Sequence, residues 1–112
     1  ERPYVCTVNR FHSPELEKWN TGEVDDWLSS QRYETMEKTL SREAPQMDVS
    51  IAKELLSGKK GFICQYDRDT GKDTVWSVIY DLKHHKIYRA EGNPGSRVYQ
   101  EVHRVVFQPY NQ

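Results

Sequence analysis

Asn9 and Arg32 are the two residues of this sequence whose types and surroundings best suit catalysis or ligand binding. Asn9 follows a short apolar run at residues 4–8 that predicts a β-strand, and an amide N–H group at a strand end can donate to an oxyanion. Arg32 lies in the first turn of a predicted helix, where a cation opposes the helix dipole. A residue that breaks a local preference suggests a function, here binding of a carboxylate or a thiolate. The competing interpretations, an exposed Arg32 and an Asn9 that merely caps a turn, stay open at this point.

The segment between these two residues is a loop of roughly 20 residues, a length that is uncommon unless the loop is functional or covers a site. Leu16, Trp19, Trp27 and Leu28 provide apolar side chains with which the loop can fold back over the strand end. We therefore expect Asn9 and Arg32 to face one shared pocket. Their side-chain heads should lie within reach of a single bound acyl carbonyl or thiolate.

Two helices are predicted after the loop. The first begins with Ser29 or Ser30 as its N-cap and runs to about residue 40, and its buried stripe is formed by Tyr33, Met36 and Leu40. The second covers residues 48–57, with Asp48 as its N-cap and Gly58 as its C-terminal glycine.

The C-terminal half of the sequence favours β-structure. Strands are predicted at residues 62–66, 74–82 and 87–90, and a turn at residues 83–85 should join the last two into an antiparallel hairpin. The central strand has little polar alternation, so both of its faces should be covered, with Val75, Trp76, Val78 and Ile79 mostly buried in the intact molecule. Residues 105–107 are apolar and can add an edge strand. The order of elements predicts an α+β fold with the helices on one sheet face.

Length and composition limit the classes of protein to consider. The chain has 112 residues, which suits a single domain spanning residues 1–112. The net charge of −1 gives no reason to expect binding of nucleic acid or an anionic membrane. Only 36% of the residues are hydrophobic and the mean hydropathy is −0.91, so the core is expected to include the remainder of a parent enzyme chain or a second copy of this one. A small, polar, marginally stable domain is the alternative, and the cellular compartment stays open.

Several other groups of reactive residues lack the spacing that their chemistry requires. His84 and His85 are adjacent on a turn with no third ligand at a suitable distance, and residues 67–73 lack the carboxylate that a calcium loop needs. We therefore expect neither a metal nor a cofactor. A nucleophilic pair of Cys6 with His12 or His103 is a further alternative, although nothing in the sequence activates Cys6.

Four segments in order resemble a known family. They are residues 7–11 (TVNRF), Ser29-x-x-Arg32-Tyr33-Glu34, residues 74–81 (TVWSVIYD) and residues 91–94 (EGNP). Together they are similar to the acyl-coenzyme A:6-aminopenicillanic acid acyltransferase family, which belongs with the choloylglycine hydrolases among the N-terminal-nucleophile (Ntn) hydrolases.

The resemblance implies a four-layer αββα enzyme that acts on linear amide C–N bonds of small acyl-amide substrates. The nucleophile of such enzymes is a Cys that becomes the chain N-terminus by autoproteolysis. By this resemblance Asn9 stabilises the oxyanion and Arg32 lies near the nucleophile, while the catalytic Cys lies outside this chain, which corresponds to the C-terminal portion of the enzyme. The alternative is a non-catalytic interaction domain on a related scaffold.

Overall fold

The computed structural model describes residues 2–20, 25 and 27–103, and it shows an α+β fold as predicted. The two α-helices and three β-strands are α1 (Ser29–Glu43), α2 (Val49–Leu56), β1 (Trp76–Asp81), β2 (Lys86–Glu91) and β3 (Gln100–Glu101). Short 3-10 turns lie at Glu17–Trp19, Ala44–Gln46 and Arg68–Thr70. None of the described helices is long and apolar enough to cross a membrane.

Helix α1 begins where it was predicted but is capped by a different residue. The carboxylate of Asp25 accepts hydrogen bonds from the backbone N–H groups of Ser29 and Ser30, both at 2.9 Å. The prediction that Ser29 or Ser30 is the N-cap is therefore wrong, because Asp25 reaches the same N–H groups from a preceding turn and carries a full negative charge at the positive end of the helix dipole. Leu28, which directly precedes the helix, has a left-handed backbone with φ 52°.

The buried face of α1 is made of small polar residues. Ser29, Thr35 and Thr39 are buried, whereas the predicted stripe of Tyr33, Met36 and Leu40 is only half-buried. Thr35 packs against Gly61, where an added Cβ would lie 2.8 Å from the threonine hydroxyl oxygen. Small side chains allow this close approach of the helix to the 58–61 turn.

Helix α2 confirms both of its predicted ends. The Asp48 carboxylate accepts a hydrogen bond from the N–H group of Ile51 at 2.8 Å, as an N-cap does. At the other end Gly58 is left-handed with φ 85°, and the pair of hydrogen bonds from Gly58 N to Leu55 O and from Lys59 N to Glu54 O forms a Schellman motif.

The sheet is a three-stranded antiparallel meander in the order β1-β2-β3. The predicted hairpin is confirmed, with Trp76 opposite Glu91 and Asp81 opposite Lys86. The third strand lies at Gln100–Glu101 and not at the predicted residues 62–66, while residues 105–107 lie outside the described part of the chain.

Two predicted strands, at residues 4–8 and 62–66, are wrong. In the second, the Gln65 side chain takes the place of a neighbouring strand: its Oε1 accepts hydrogen bonds from Ile63 N at 2.7 Å and Cys64 N at 2.9 Å. Its Nε2 donates to the carbonyl oxygens of Gly58 and Gly61. Residues 4–8 pair with no strand in the described part of the chain, so their backbone stays irregular.

The helices form two successive layers on the sheet. Helix α2 packs against β1, and α1 packs on α2 without reaching any described strand, so the helices contact the sheet through α2. The inner sheet face contains Ala90, which is fully buried, and a hydrogen bond of 2.6 Å between the hydroxyls of Ser77 and Tyr99.

The outer sheet face has no covering element among the described residues. Strand pairing places Trp76, Val78 and Tyr80 of β1 on this face together with Ile87 of β2. Trp76 is 49% exposed and Tyr80 is 63% exposed, and Val75 next to the strand is also exposed. The expected burial of Val75 and Trp76 is therefore not provided by the described residues, whose helices cover only one side of the sheet.

Candidate functional site

Arg32 is held by three hydrogen bonds. Its Nε donates to the backbone carbonyl of Trp27 at 3.1 Å, and its Nη2 donates to Ser29 Oγ at 2.8 Å and to Asn9 Oδ1 at 2.7 Å. These acceptors explain how a cation is tolerated in the first helical turn, because each offers a negative dipole that offsets the unfavourable helix dipole. The guanidinium plane is consequently fixed in direction.

The contact with Arg32 also determines the orientation of the Asn9 amide. A guanidinium has only donors, so the atom of Asn9 that faces it must be the carbonyl oxygen. The Nδ2 group, with its two N–H donors, is then turned away from Arg32. An amide donor in a fixed orientation is the property that an oxyanion-binding residue requires.

Asn9 and Arg32 meet head to head but line two adjoining cavities. Arg32 lines an inner cavity of about 200 Å³ between α1, α2 and the start of β1, whereas Asn9 lines an outer groove of about 280 Å³. Val8 belongs to the walls of both and separates them. The structure thus brings the two predicted site residues together, and it places them at the boundary between two spaces instead of inside one.

A second group of side chains surrounds the Trp27 carbonyl that accepts the hydrogen bond from Arg32. The Tyr66 hydroxyl donates to the same Trp27 carbonyl at 2.7 Å, and the Trp27 and Tyr66 rings meet edge to face with centroids 5.7 Å apart. Burial raises the pKa of Tyr66 despite the opposing effect of the nearby Arg32 cation, so the hydroxyl stays protonated and remains a donor. Sequence analysis missed Tyr66, because nothing in the sequence shows that it lies opposite the helix start.

Asp25 completes this side of the site. Partial burial alone would raise its pKa, but the N–H groups of Ser30 and Ser29 hold the pKa of Asp25 below the ordinary value. The Ser30 hydroxyl and the Arg10 cation act in the same direction. The carboxylate is therefore ionised at neutral pH and fixes the start of the helix that bears Arg32.

Asn93 follows β2 and forms a hydrogen bond to Cys64, which lines the inner cavity. Its side chain is buried, and Nδ2 donates to the Cys64 carbonyl at 2.7 Å and to Asp73 Oδ1 at 2.8 Å, while Oδ1 accepts from Gly95 N at 2.8 Å. The hydrogen bond from Asn93 is the main reason that the pKa of Asp73 is lowered. In the sequence Asn93 stands out only within the segment 91–94 (EGNP), and its role in joining three segments becomes visible in the structure.

The two cysteines are free, and neither is set up as a nucleophile. Cys64 lines the inner cavity and is 2% exposed, and burial is the main cause that raises its pKa. Burial and then the Glu37 carboxylate raise the pKa of Cys6. A raised pKa disfavours the thiolate, which is the reactive form.

The alternative pairing of Cys6 with a histidine is also absent from the described residues. The ring of His12 stacks on Tyr33 at 4.0 Å, and its buried Nε2 has no hydrogen-bond partner in that part of the chain. His103 is exposed and pairs with Glu101 at 3.0 Å. Neither imidazole is therefore placed to take the proton of the Cys6 thiol.

The histidines of the hairpin turn have a structural role. His84 Nδ1 lies 2.8 Å from Asp81 Oδ2, which closes the turn, and His85 has a left-handed backbone with φ 54°. Within residues 2–20, 25 and 27–103 no group of three potential metal ligands is found.

An α+β domain with an oriented amide donor at the edge of a cavity has a site suited to amide or ester chemistry. A family model described as acyl-coenzyme A:6-aminopenicillanic acid acyl-transferase matches residues 1–96, and the chain belongs to this family. Comparison with curated proteins and with solved structures gave no match.

Proposed function

We propose that this chain forms the C-terminal portion of an Ntn-type enzyme that hydrolyses or transfers the acyl group of linear amides. The observation that carries the proposal is the 2.7 Å hydrogen bond from Arg32 to Asn9 Oδ1, which turns the Asn9 N–H donors away from the guanidinium. Membership of an acyltransferase family supports the same class of reaction.

Asn9 acts in this proposal as the oxyanion donor. When a nucleophile attacks an amide carbonyl, negative charge develops on the oxygen, and a donor already in place stabilises that charge without reorganisation. Removal of one such donor costs about 3–4 kcal/mol in the barrier. Asn9 lies in an exposed segment that lines the outer groove, so a substrate carbonyl can approach it.

Arg32 acts through Asn9. Its charge polarises the Asn9 amide through the carbonyl oxygen, which strengthens the N–H groups as donors, since linked hydrogen bonds reinforce one another. The guanidinium has donors only, so it can hold the Asn9 amide in just one of its two orientations.

The nucleophile is proposed to be a Cys outside this chain, freed as an N-terminus by self-cleavage. The raised pKa values of Cys6 and Cys64 support this, because both thiols are protonated at neutral pH. The inner cavity beside Arg32 is the space into which such a residue would approach.

The outer sheet face supports the αββα layering implied by the resemblance. Trp76, Tyr80 and Ile87 lie on the side of the sheet that α2 does not cover, where the guanidinium of Arg89 lies 4.9 Å from the Trp76 ring centroid. We propose that a second sheet of the same enzyme packs there, which would complete two sheets between two helical layers.

The test uses the protein expressed from its complete reading frame and a set of N-acyl amides as substrates. Asn9→Ala should lower kcat by about 100- to 1,000-fold with little change in KM, because an oxyanion donor acts mainly in the transition state. The 112-residue chain alone should show no turnover above buffer. Turnover by the isolated chain that is lost in Cys6→Ala would refute the proposal and identify Cys6 as the nucleophile.

A non-catalytic interaction domain is the second candidate, and the exposed apolar sheet face is the observation that favours it. Here the same face would bind another protein or a second copy. Normal turnover in Trp76→Glu, a substitution on this face, would favour the interaction domain, since a core between two sheets cannot accept a charge.

A further inference from the structure

A third cavity, which we call the end cavity, lies where residues 79–82 end β1 and enter the hairpin turn. Its volume is about 840 Å³, within the range of roughly 300–1,000 Å³ that is usual for ligand pockets. The first turn of α2 and the start of β2 form its other walls. Ser77, near the start of β1, lines the inner cavity instead, and the end cavity shares no lining residue with the inner cavity or the outer groove. It is therefore a site separate from Asn9 and Arg32.

The floor of the end cavity is apolar. Strand pairing places Ile79 directly opposite Tyr88 on the inner sheet face, just beyond the point where α2 begins and covers that face. The apolar residues of the lining are Met47, Val49, Ala52, Ile79, Leu82 and Tyr88. Leu82 at the rim is 80% exposed. An aliphatic chain can therefore bury apolar surface here without displacing any described element.

The rim of the end cavity carries positive charge. Lys83 and Lys86 line it, and Lys53 Nζ lies 4.5 Å from the centroid of the Tyr88 ring, so a third cation flanks the floor. Lys83 forms no ion pair with any of the described residues. The Nζ of Lys86 lies 3.5 Å from a carboxylate oxygen of Glu101, a residue that does not line the cavity.

The two carboxylates of the lining, Asp48 and Asp81, already hold donors of this chain. Asp48 accepts a hydrogen bond from Ile51 N at 2.8 Å as the cap of α2. Asp81 accepts one from His84 N at 3.2 Å, and its other oxygen lies 2.8 Å from His84 Nδ1. Because both carboxylates are turned toward these partners, the charge of Lys83 is available to an anion that enters the cavity.

We propose that the end cavity binds a free aliphatic carboxylate of medium chain length. Its carboxylate lies at Lys83 and Lys86, and its chain lies along the apolar floor formed by Ile79 and the first turn of α2. The inference goes beyond the proposed amide reaction, since it concerns a different cavity and a different ligand. Charge complementarity selects an anion over a neutral or cationic molecule of the same shape. Both lysines are exposed, so each should contribute at most about 5-fold in Kd.

The two methionines of the chain report on different cavities, because Met47 lines the end cavity and Met36 lines the inner cavity. The test is NMR of the protein expressed from its complete reading frame with methionine whose methyl group carries ¹³C, and Met36→Leu and Met47→Leu assign the two signals. Octanoate is the probe, and octanol, which has the same chain without the charge, is the matched control. Octanoate should shift the Met47 signal saturably and leave the Met36 signal unchanged. Octanol should bind at least about 3-fold more weakly.

Variants separate the role of the charge from that of the apolar floor. Lys83→Gln should raise the Kd of octanoate about 3- to 5-fold and leave the Kd of octanol unchanged, whereas Lys83→Arg should retain most of the affinity. Lys59→Gln removes an equally exposed lysine outside the cavity and should change neither Kd. Leu82→Ser should weaken both probes by a similar factor, because it removes apolar surface and no charge. Added salt should weaken the binding of octanoate and not that of octanol.

Several results would overturn the proposal. A Met47 signal that responds to neither probe, equal affinity for octanoate and octanol, or full affinity for octanoate in Lys83→Gln would each do so. A Met47 signal that shifts with protein concentration in the absence of probe would show that a second copy covers the cavity. Asn9→Ala should leave the Kd read at Met47 unchanged, and a weaker Kd in this variant would show that the site is not separate from Asn9.

Discussion

The relation between Asn9 and Arg32 predicts strongly non-additive effects on catalysis. If Arg32 acts only by orienting Asn9, its removal matters only while Asn9 is present. In the active enzyme that contains this chain, Asn9→Ala should lower kcat by about 100- to 1,000-fold. The double variant Asn9→Ala/Arg32→Ala should then be no slower than Asn9→Ala alone.

The magnitude for Arg32→Ala follows from the bond it removes. A charge-assisted hydrogen bond of 2.7 Å is worth about 1.5–3 kcal/mol when desolvated, and because Asn9 is exposed we take about 1 kcal/mol. That is roughly a 5-fold preference for the productive orientation of the amide, so without Arg32 the productive fraction should fall from about five-sixths to about one half, and kcat should fall about 2-fold, or more if polarisation also contributes. Arg32→Lys should not restore the rate, since an ammonium cannot reproduce the fork that reaches Trp27, Ser29 and Asn9.

The assay is single-turnover kinetics with an N-acyl amide at saturating concentration, which isolates the chemical step from binding and release. Urea unfolding of each variant controls for loss of fold. If the rate losses of the two single variants multiply in the double variant, Arg32 acts on the nucleophile or the substrate directly, and its role as an orienting residue is refuted.

Three further predictions concern the scaffold. Asp25→Ala should lower the free energy of unfolding by about 1 kcal/mol. The pKa of Asp25 is lower in the folded than in the unfolded protein, so its contribution to the free energy of unfolding is fully present above the unfolded pKa of about 3.9 and is lost as the pH falls through the folded pKa. The stabilities of Asp25→Ala and the parent protein should therefore converge below the folded pKa in acid unfolding experiments. Gly58→Ala should lower the temperature of thermal unfolding more than Gly71→Ala. Both glycines have a left-handed backbone, but an added Cβ at Gly58 would overlap the Gln65 side chain, whereas nothing lies within 4 Å at Gly71. Equal losses in the two variants would contradict this packing. Cys64 should react with iodoacetamide far more slowly than Cys6 at pH 8, as read by mass spectrometry, because Cys64 is buried and Cys6 is partly exposed. Comparable rates would show that the inner cavity opens to solvent.

Local sequence was sufficient to predict the helices and the hairpin. Asp48 and Gly58 bound α2 because capping and left-handed glycine depend on a few neighbouring residues. The β1–β2 hairpin follows from β-branched and aromatic residues on both sides of a polar turn, and its register is set by that turn. The sequence also singled out Asn9 and Arg32, since an Arg in the first helical turn has no local explanation.

Only the structure shows where some backbone N–H groups find their hydrogen-bond acceptors. Residues 62–66 have strand-like composition, yet the Gln65 side chain satisfies their N–H groups, so no strand forms there. Asp25 displaced the predicted serine caps in the same way, from outside the helix. Gln65 lies one and two residues from the N–H groups whose hydrogen bonds it accepts, and Asp25 lies four and five residues away. Such short-range hydrogen bonds from side chain to backbone compete with regular secondary structure, and neither periodicity nor propensity shows which of them forms.

The geometry of the site, in contrast, depends on contacts between residues far apart in the sequence. Sequence suggested that Asn9 and Arg32 share a pocket, but only the fold shows that one residue orients the other across 23 positions of the chain, with Trp27 and Tyr66 behind them. The orientation of the Asn9 amide follows from the fact that a guanidinium can only donate hydrogen bonds. Residue types thus determined what chemistry is available, and the packing of α1 against the N-terminal segment determined the direction in which the Asn9 amide points.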